Sequence, residues 1–246
     1  MDIDLFRRIP TVKYLREASR RRTPGFSFEA GDGGAGDDTG IRRNWKALDD
    51  VEIVPRYGVM TSLPEVGVEI FGHRYAAPIG IAPMGSPGII WPHADQYLAA
   101  AAKAHNVPYG LSTVSGMPIE EAGARAADVL WFQLYRFPNE DHKLGKDLIR
   151  RADEAGAKVL VLTLDTPIRT TRTREVLAGI TNPFRFTPKM ILEALSCPAY
   201  CVNFLRYGIP RLANFQRYFP GMSLNDSLVA AQKEMRGTFR IGRAHV

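Results

Sequence analysis

Two short apolar runs in the middle of the chain end in polar side chains, and they constrain the fold more than any other feature. The first is Trp131-Phe132-Gln133-Leu134-Tyr135, and the second is residues 159–164, followed by Asp165-Thr166-Pro167. A buried strand of a parallel sheet looks like this when its carboxyl end carries chemistry. The runs therefore predict parallel strands that end in an amide, a phenol, a hydroxyl and a carboxylate.

The same rhythm continues towards the N-terminus. Apolar strands are predicted over residues 78–82, 109–112, 129–135 and 158–164, and helices over residues 94–105, 118–125 and 139–155. Strands that alternate with helices are typical of parallel sheets with right-handed crossovers. Either a doubly wound sheet or the first half of a (β/α)₈ barrel fits this order.

The flanking regions are less regular. Residues 3–22 predict one amphipathic helix, residues 41–70 are irregular with β-like pieces near 51–54, and helical pieces are predicted at 188–196 and 223–235. The chain of 246 residues, 45% of them apolar, is long enough to bury a sizeable core. We expect a single domain.

The charge and the cysteines favour some classes of protein over others. The formal charge is +6, with a basic cluster in residues 7–22, and a solvated helix face is favoured there over a nucleic-acid or membrane patch. Cys197 and Cys201 have no histidine partners nearby, so neither a metal site nor a disulfide is predicted. With no apolar signal core and no run of about 20 apolar residues, we expect a cytoplasmic protein without a transmembrane segment or nucleic-acid partner.

A glycine-rich stretch, residues 31–36, formally matches the G-x-G-x-x-G dinucleotide pattern. That pattern needs a preceding strand and a following helix. Here a predicted helix and a proline turn precede it, and Asp32, Asp37 and Asp38 would repel a pyrophosphate. A dinucleotide site is therefore not favoured.

Three polar side chains fall at the ends of successive predicted strands: Ser112, Gln133 and Thr163. Parallel strands bring their carboxyl ends to one face of a sheet, where active sites form. A glutamine amide both donates and accepts, which suits the imide edge of a heterocycle. These residues are candidates for cofactor binding, although each alone is more often a structural hydrogen-bonding residue.

Two further groups complete the candidate site. The small residues after the first strand, Pro83, Met84 and Gly85, would let the backbone approach a flat ligand. Tyr135 and Arg172 could contact an anionic substrate, because arginine binds carboxylate through two parallel hydrogen bonds. No histidine follows a strand end, so none is assigned as a base.

These motifs resemble the FMN-dependent 2-hydroxy acid dehydrogenase/oxidase family, which includes flavin L-lactate dehydrogenases, glycolate oxidases and mandelate dehydrogenases. The matching pieces agree in order and spacing over residues 5–175, and more loosely to about 239: residues 32–35, 43–44, 78–83, 111–113, 132–135 and 162–167.

The resemblance implies a fold, a cofactor and site residues. The fold would be a (β/α)₈ barrel preceded by a helical segment. FMN would lie against Pro83, Met84 and Gly85, with its ring bonded by Ser112, Gln133 and Thr163. As the catalytic residue, Tyr135 would bind the substrate hydroxyl, and Arg172 would bind the carboxylate of a small 2-hydroxy acid. The electron acceptor could be oxygen, a quinone or a cytochrome.

The chain also departs from the family. Ala30 stands where many members have a substrate-contacting tyrosine, and Val114 stands where a bulky residue is common. The family's second half supplies a lysine, the catalytic histidine and the phosphate-binding loops, and the resemblance stops before it.

We therefore expect the first half of a barrel, about four βα units, in one truncated domain. It divides into an N-terminal segment (1–75), the βα units (76–167) and a loop and helical segment with an out-of-family tail (168–246). We therefore expect an enzyme whose activity is weak or absent in the isolated chain. We also expect the chain to form a homo-oligomer. The alternatives are a non-catalytic remnant that associates with itself, and a basic binding protein.

Overall fold

A computed structural model of the chain describes residues 3–58, 62, 64–164, 171–180 and 185–235. The described strands are β1 (Val68–Ile70), β2 (His73–Tyr75), β3 (Tyr109–Ser112), β4 (Leu130–Tyr135) and β5 (Val159–Thr163). The described helices are α1 (Ile3–Arg8), α2 (Val12–Arg22), α3 (Gly25–Asp32), α4 (Thr39–Asp49), α5 (Ala94–His105), α6 (Ile119–Ala126), α7 (Asn139–Glu154), α8 (Thr173–Leu177), α9 (Pro188–Leu195), α10 (Pro198–Tyr207) and α11 (Leu224–Met235).

A parallel sheet of order β3-β4-β5 forms the centre of the described fold. Its register pairs Ser112 with Gln133 and Tyr135 with Thr163. One face presents Leu111 and Phe132, fully buried, to a cover of helices. Alanines in α5, α6 and α7 let these helices approach the sheet closely, and they join one core cluster with the strands. The opposite face carries the polar side chains.

The predicted strand over residues 78–82 is not observed, and the four-unit half-barrel is not confirmed. In the described residues Ile81 forms a single parallel bridge to Tyr109, closed by Ile81 N–H to Pro108 O and Gly110 N–H to Ile81 O, both 2.8 Å. Pro78 and Pro83 bracket this segment and have no N–H to donate, so the ladder cannot extend. The described part of the chain holds a three-stranded parallel sheet with one bridged segment and no closed barrel.

The N-terminal helix prediction is also corrected. Residues 3–22 form two helices, α1 and α2, because Pro10 interrupts the run. The β-like pieces near residues 51–54 form no strand. Instead β1 and β2 make a hairpin whose two turn residues, Phe71 and Gly72, both have positive φ.

A second, smaller core holds the C-terminal helices against the N-terminal segment. Phe26 of α3 packs with Met190, Cys197 and Tyr200 of the α9–α10 region. The thiols of Cys197 and Cys201 are both free. Through this cluster α9 and α10 are fixed on the outside of the fold.

Strand β5 is the last strand of the described sheet, and its outward side chains are poorly covered. Leu160 and Leu162 are each about half exposed, whereas Leu111 and Phe132 on the same face of neighbouring strands are buried. Unpaired backbone groups and apolar side chains at a sheet edge favour association with another strand or chain.

Candidate functional site

A row of hydrogen bonds joins the carboxyl ends of the three parallel strands. Ser112 Oγ donates to Gln133 Oε1 at 3.0 Å, and Gln133 Nε2 donates to Thr163 Oγ1 at 2.7 Å. The strand register places the three side chains on one face of the sheet, because alternate residues point the same way. The structure thus brings together the three residues that the sequence singled out.

The Gln133 amide is held in one orientation by further contacts. Its Oε1 also accepts from the backbone N–H of Thr113 at 3.3 Å. Thr113 Oγ1 in turn donates to the backbone carbonyl of Gln133 at 2.5 Å. Ser112 Oγ in turn accepts from Val114 N–H at 3.3 Å. Ser112, Thr113 and Gln133 are buried, so these contacts satisfy polar groups that would otherwise be costly.

Tyr135 lies next to this row. It is the register partner of Thr163, and it is two residues beyond Gln133 on the same strand, so its side chain is on the same face. It is partly buried and packs at the margin of the main core. A phenol is therefore placed beside the hydroxyl–amide–hydroxyl row.

Residues 83–85 are packed against the loop that follows β3. Ser86, at positive φ, donates to the Val114 carbonyl through both N–H and Oγ at 3.0 Å. A Cβ on Gly85 would lie 3.1 Å from Val114 Cγ2, so a small residue is favoured there. Pro83, Met84 and Gly85 therefore lie beside the end of β3 and the loop that follows it.

Arg172 is placed by a different part of the chain. Its guanidinium donates to Glu175 at 2.8 Å, and its backbone forms a bridge with Gly36 of the N-terminal segment. The Gly36 N–H also donates to the Thr171 carbonyl at 2.9 Å. Residues 165–170, which include Asp165, Thr166 and Pro167, lie outside the described residues, as does the predicted tail at 240–246.

Arg174, which the sequence did not single out as a site residue, is the centre of a charged cluster. Its guanidinium contacts Glu29, and it lies 2.7 Å from an Asp32 carboxylate oxygen and 3.0 Å from one of Asp38. Arg16 adds a second pair of hydrogen bonds to Asp32. This cluster fastens the glycine-rich loop to the segment that carries Arg172.

The cluster changes the pKa values of its members. Hydrogen bonds from Arg16 hold the pKa of Asp32 below its usual range. A hydrogen bond from the Gly34 N–H lowers the pKa of Asp38, and a hydrogen bond from Arg174 lowers it further. Hydrogen bonds to Glu29 and the two aspartates raise the pKa of Arg174 despite its partial burial. Asp32 and Asp38, whose charges argue against a pyrophosphate site, were the only sign in the sequence that the glycine-rich loop binds cationic side chains.

The row at the strand ends fits a flat heterocycle with an imide edge. The edge of an imide alternates carbonyl acceptors with an N–H donor, and the row offers hydroxyl, amide and hydroxyl groups on one face of the sheet. After the internal bonds are formed, the Thr163 hydroxyl and one amide hydrogen of Gln133 retain donor capacity. The donor set of the described residues is therefore suited to such a ligand.

Comparison with known proteins gives a consistent result. The sequence profile of the family described as FMN-dependent dehydrogenase matches residues 19–241. The chain is 31% identical over 204 residues to (S)-mandelate dehydrogenase of Pseudomonas putida, covering 83% of this chain and 51% of that protein. It is 36% identical over 201 residues to L-lactate dehydrogenase of Caulobacter vibrioides (strain NA1000 / CB15N), covering 81% and 52%.

Solved structures agree with the sequence comparison. The crystal structure of the monotopic membrane protein (S)-mandelate dehydrogenase is similar with a TM-score of 0.86 and 30% identity, over 94% of this chain and 61% of that one. The crystal structure of mandelate oxidase is similar with a TM-score of 0.63 and 32% identity, over 73% and 50%. The chain spans about half the length of the curated relatives it matches.

Proposed function

The chain belongs to the FMN-dependent dehydrogenase family, and on that premise we propose that it is an oxidoreductase that converts a small 2-hydroxy acid to the 2-oxo acid with FMN. The observation that carries the proposal is the row formed by Ser112, Gln133 and Thr163, which offers fixed hydrogen-bonding groups to a flavin ring.

The residues of this chain would hold and orient the cofactor. Ser112, Gln133 and Thr163 would bond the edge of the ring, and the backbone of Pro83, Met84 and Gly85 would line it. When bound, FMN supplies the redox chemistry by accepting the two electrons removed from the substrate α-carbon. The polar groups of the sheet are fixed before the ligand arrives, so little is lost in ordering them.

Substrate binding is assigned to Tyr135 and Arg172. The Tyr135 phenol would bond the substrate hydroxyl, and the Arg172 guanidinium would bind the carboxylate through two hydrogen bonds. In the structure this guanidinium pairs with Glu175, and a substrate carboxylate would take the place of that partner. Ala30 leaves the N-terminal side of such a pocket without the tyrosine found in many members of the family.

FMN binding to the purified chain tests the proposal directly. Titration with FMN should quench flavin fluorescence in a saturable manner, and Thr163→Val and Ser112→Ala should each weaken binding. Ser223→Ala is the matched control, because that exposed hydroxyl contacts only the exposed Asp226 in the described structure. Absence of saturable binding, or equal losses in the control, would contradict the assignment. Anaerobic addition of L-lactate or mandelate then tests turnover, through loss of oxidised flavin absorbance.

A second proposal is a non-catalytic, self-associating chain, and the exposed outer face of β5 supports it. Within the described residues no strand pairs with the outer edge of β5, which carries Leu160 and Leu162, and two copies of the chain could cover this edge mutually. Light scattering on the purified, flavin-free chain tests this proposal. The predicted homo-oligomer and cytoplasmic location stay predictions.

A further inference from the structure

A cleft between the first two helices and the turn before α5 collects part of the basic cluster of residues 7–22. The cleft has a volume of about 700 Å³, and Arg8, Arg21 and Arg22 line it. All three arginines are exposed, and none forms an ion pair with a carboxylate of the described residues. No described residue that lines the cleft is acidic. The cleft therefore carries positive charge that the described fold does not neutralise.

The floor of the cleft is apolar and partly aromatic. It consists of side chains from α2, from the residue after α1 and from the turn before α5: Ile9, Leu15, Ala18, Ile90 and Trp91. The Trp91 ring packs edge to face on Tyr200 with the ring centroids 6.0 Å apart, and Trp91 is only partly buried. Tryptophan offers a broad, flat surface to another ring. An aromatic ligand can thus pack against the floor while the arginines bind its charged end.

Hydrogen bonds fix the wall that carries Trp91. Ser27 Oγ of α3 lies within hydrogen-bonding distance of the carbonyls of Ile89, at 3.0 Å, and Ile90, at 2.6 Å. The Tyr200 hydroxyl also donates to the Ile89 carbonyl, at 3.2 Å. These contacts hold the wall in place before any ligand arrives, so little conformational freedom is lost on binding.

Cations beside an aromatic floor suit a ligand that has a ring and a strongly charged end. We propose that this cleft binds a small aromatic phosphate ester, with its phosphate held by the three arginines and its ring packed against Trp91. Arginine binds phosphate through two parallel hydrogen bonds. A phosphate monoester carries about 1.5 to 2 negative charges at neutral pH, so three guanidinium groups match it better than they match a carboxylate. The volume of the cleft lies within the usual range of small-molecule sites, about 300–1,000 Å³. The proposal goes beyond the proposed function, which assigns FMN to the strand-end row.

Calorimetric titration of the full chain with phenyl phosphate tests the proposal. We expect saturable binding that is at least about tenfold tighter than the binding of inorganic phosphate or of phenol, because each of these lacks one half of the interaction. Benzoate should bind about fivefold more weakly than phenyl phosphate, since it carries less charge. Raising the salt concentration should weaken the binding of phenyl phosphate, because salt screens exposed charges.

Two arginine variants and two control variants locate the site. Arg8→Gln and Arg22→Gln should each weaken the binding of phenyl phosphate about fivefold, as expected for the loss of one exposed ionic contact. Arg7→Gln is the matched control, because Arg7 is the exposed neighbour of Arg8 on α1 and is not among the described residues that line the cleft. Thr163→Val should also leave the affinity unchanged, which separates this cleft from the proposed flavin site.

Tryptophan emission gives a readout that needs no arginine variant. Phenyl phosphate should change the emission of the unsubstituted chain, and Trp91→Phe should remove that change. Trp45→Phe is the control, since Trp45 of α4 is 55% exposed and is not among the described residues of the cleft. In Trp45→Phe the change should persist.

Four outcomes would overturn the proposal. They are no saturable binding of phenyl phosphate, equally tight binding of inorganic phosphate, an equal loss in Arg7→Gln or Thr163→Val, and an emission change that survives Trp91→Phe. Circular dichroism of each variant shows whether it is folded. If an arginine variant is not folded, the comparison of Trp91→Phe with Trp45→Phe still decides the question.

Discussion

The side-chain amide of Gln133 donates a 2.7 Å hydrogen bond to Thr163 Oγ1, linking the ends of two neighbouring parallel strands. The same amide accepts from Ser112 on the third strand. One buried side chain therefore connects the three strand ends, and it sets the positions of both hydroxyls. Its position in the middle of the sheet gives it a structural role as well as the proposed role in flavin binding.

Replacing Gln133 with Leu should destabilise the fold and weaken FMN binding together. The change leaves the Ser112 hydroxyl and the Thr113 N–H without their partner in a buried site, at a cost of about 1–3 kcal/mol each for unsatisfied groups. Urea denaturation measures the stability, and FMN titration under native conditions measures the binding. Thr163→Val should weaken FMN binding with a smaller loss of stability, because Thr163 is only partly buried. Unchanged FMN affinity in both variants would show that the row of Ser112, Gln133 and Thr163 does not bind the flavin.

Arg172→Met should weaken binding of a 2-hydroxy acid far more than binding of FMN. The substitution removes the cation that would bind the carboxylate and leaves the strand-end row intact. Glu175→Gln should have the opposite effect on the acid, because the 2.8 Å ion pair no longer competes for the guanidinium. Calorimetric titration of the FMN-loaded chain with L-lactate or mandelate measures both. Equal losses of flavin and acid binding in Arg172→Met would show that Arg172 has another role.

Arg174→Met should release the N-terminal segment from the loop that carries Arg172. Three carboxylates lose their shared partner at once, and we expect a loss of about 2 kcal/mol in the free energy of unfolding. The matched control is Lys46→Met, which removes one exposed pair with Asp50 and should change stability by less than about 1 kcal/mol. Limited proteolysis near residues 33–38 provides a local readout. Similar stability of the two variants would show that the Arg174 cluster does not hold the N-terminal segment to the loop that carries Arg172.

The same cluster predicts how stability depends on pH. Since Arg16 lowers the pKa of Asp32 in the folded state, the pair contributes stability that is fully present above the unfolded value of about 3.9. That stability is lost as the pH falls through the lower, folded pKa. Urea midpoints between pH 7 and pH 2.5 should therefore fall more steeply in the original chain than in Asp32→Asn. Parallel curves would contradict the prediction.

Two helical glycines should respond to alanine in opposite directions. A Cβ on Gly123 of α6 would lie 2.3 Å from the Ala155 carbonyl oxygen, which forces the α6–α7 contact apart. We expect Gly123→Ala to cost about 1–3 kcal/mol, as overpacked sites do. Gly40 of α4 has open space around its Cβ position, so Gly40→Ala should stabilise by about 0.5–1 kcal/mol. Thermal and urea unfolding of both variants measure the difference.

Local patterns in the sequence predicted several elements closely. The strand predicted at 109–112 and the helix predicted at 94–105 coincide with β3 and α5. Their residues carry the periodicity of strand or helix within one short window, so no distant contact is needed to define them. The strand predicted at 78–82 was wrong, because it was inferred from the apolar run alone. The two prolines at its ends, Pro78 and Pro83, lack the N–H groups that a longer ladder needs.

The sequence by itself determined that polar residues stand at the ends of successive parallel strands. Each strand is followed by a crossover helix, which makes the strands parallel and brings their carboxyl ends to the same edge of the sheet. Only the tertiary structure decided which charges meet. Arg174 joins Asp32 from 142 residues away, and no local pattern records that contact. It likewise decided that one face of α9 and α10 is buried and the other exposed, since both faces are apolar and packing alone selects between them.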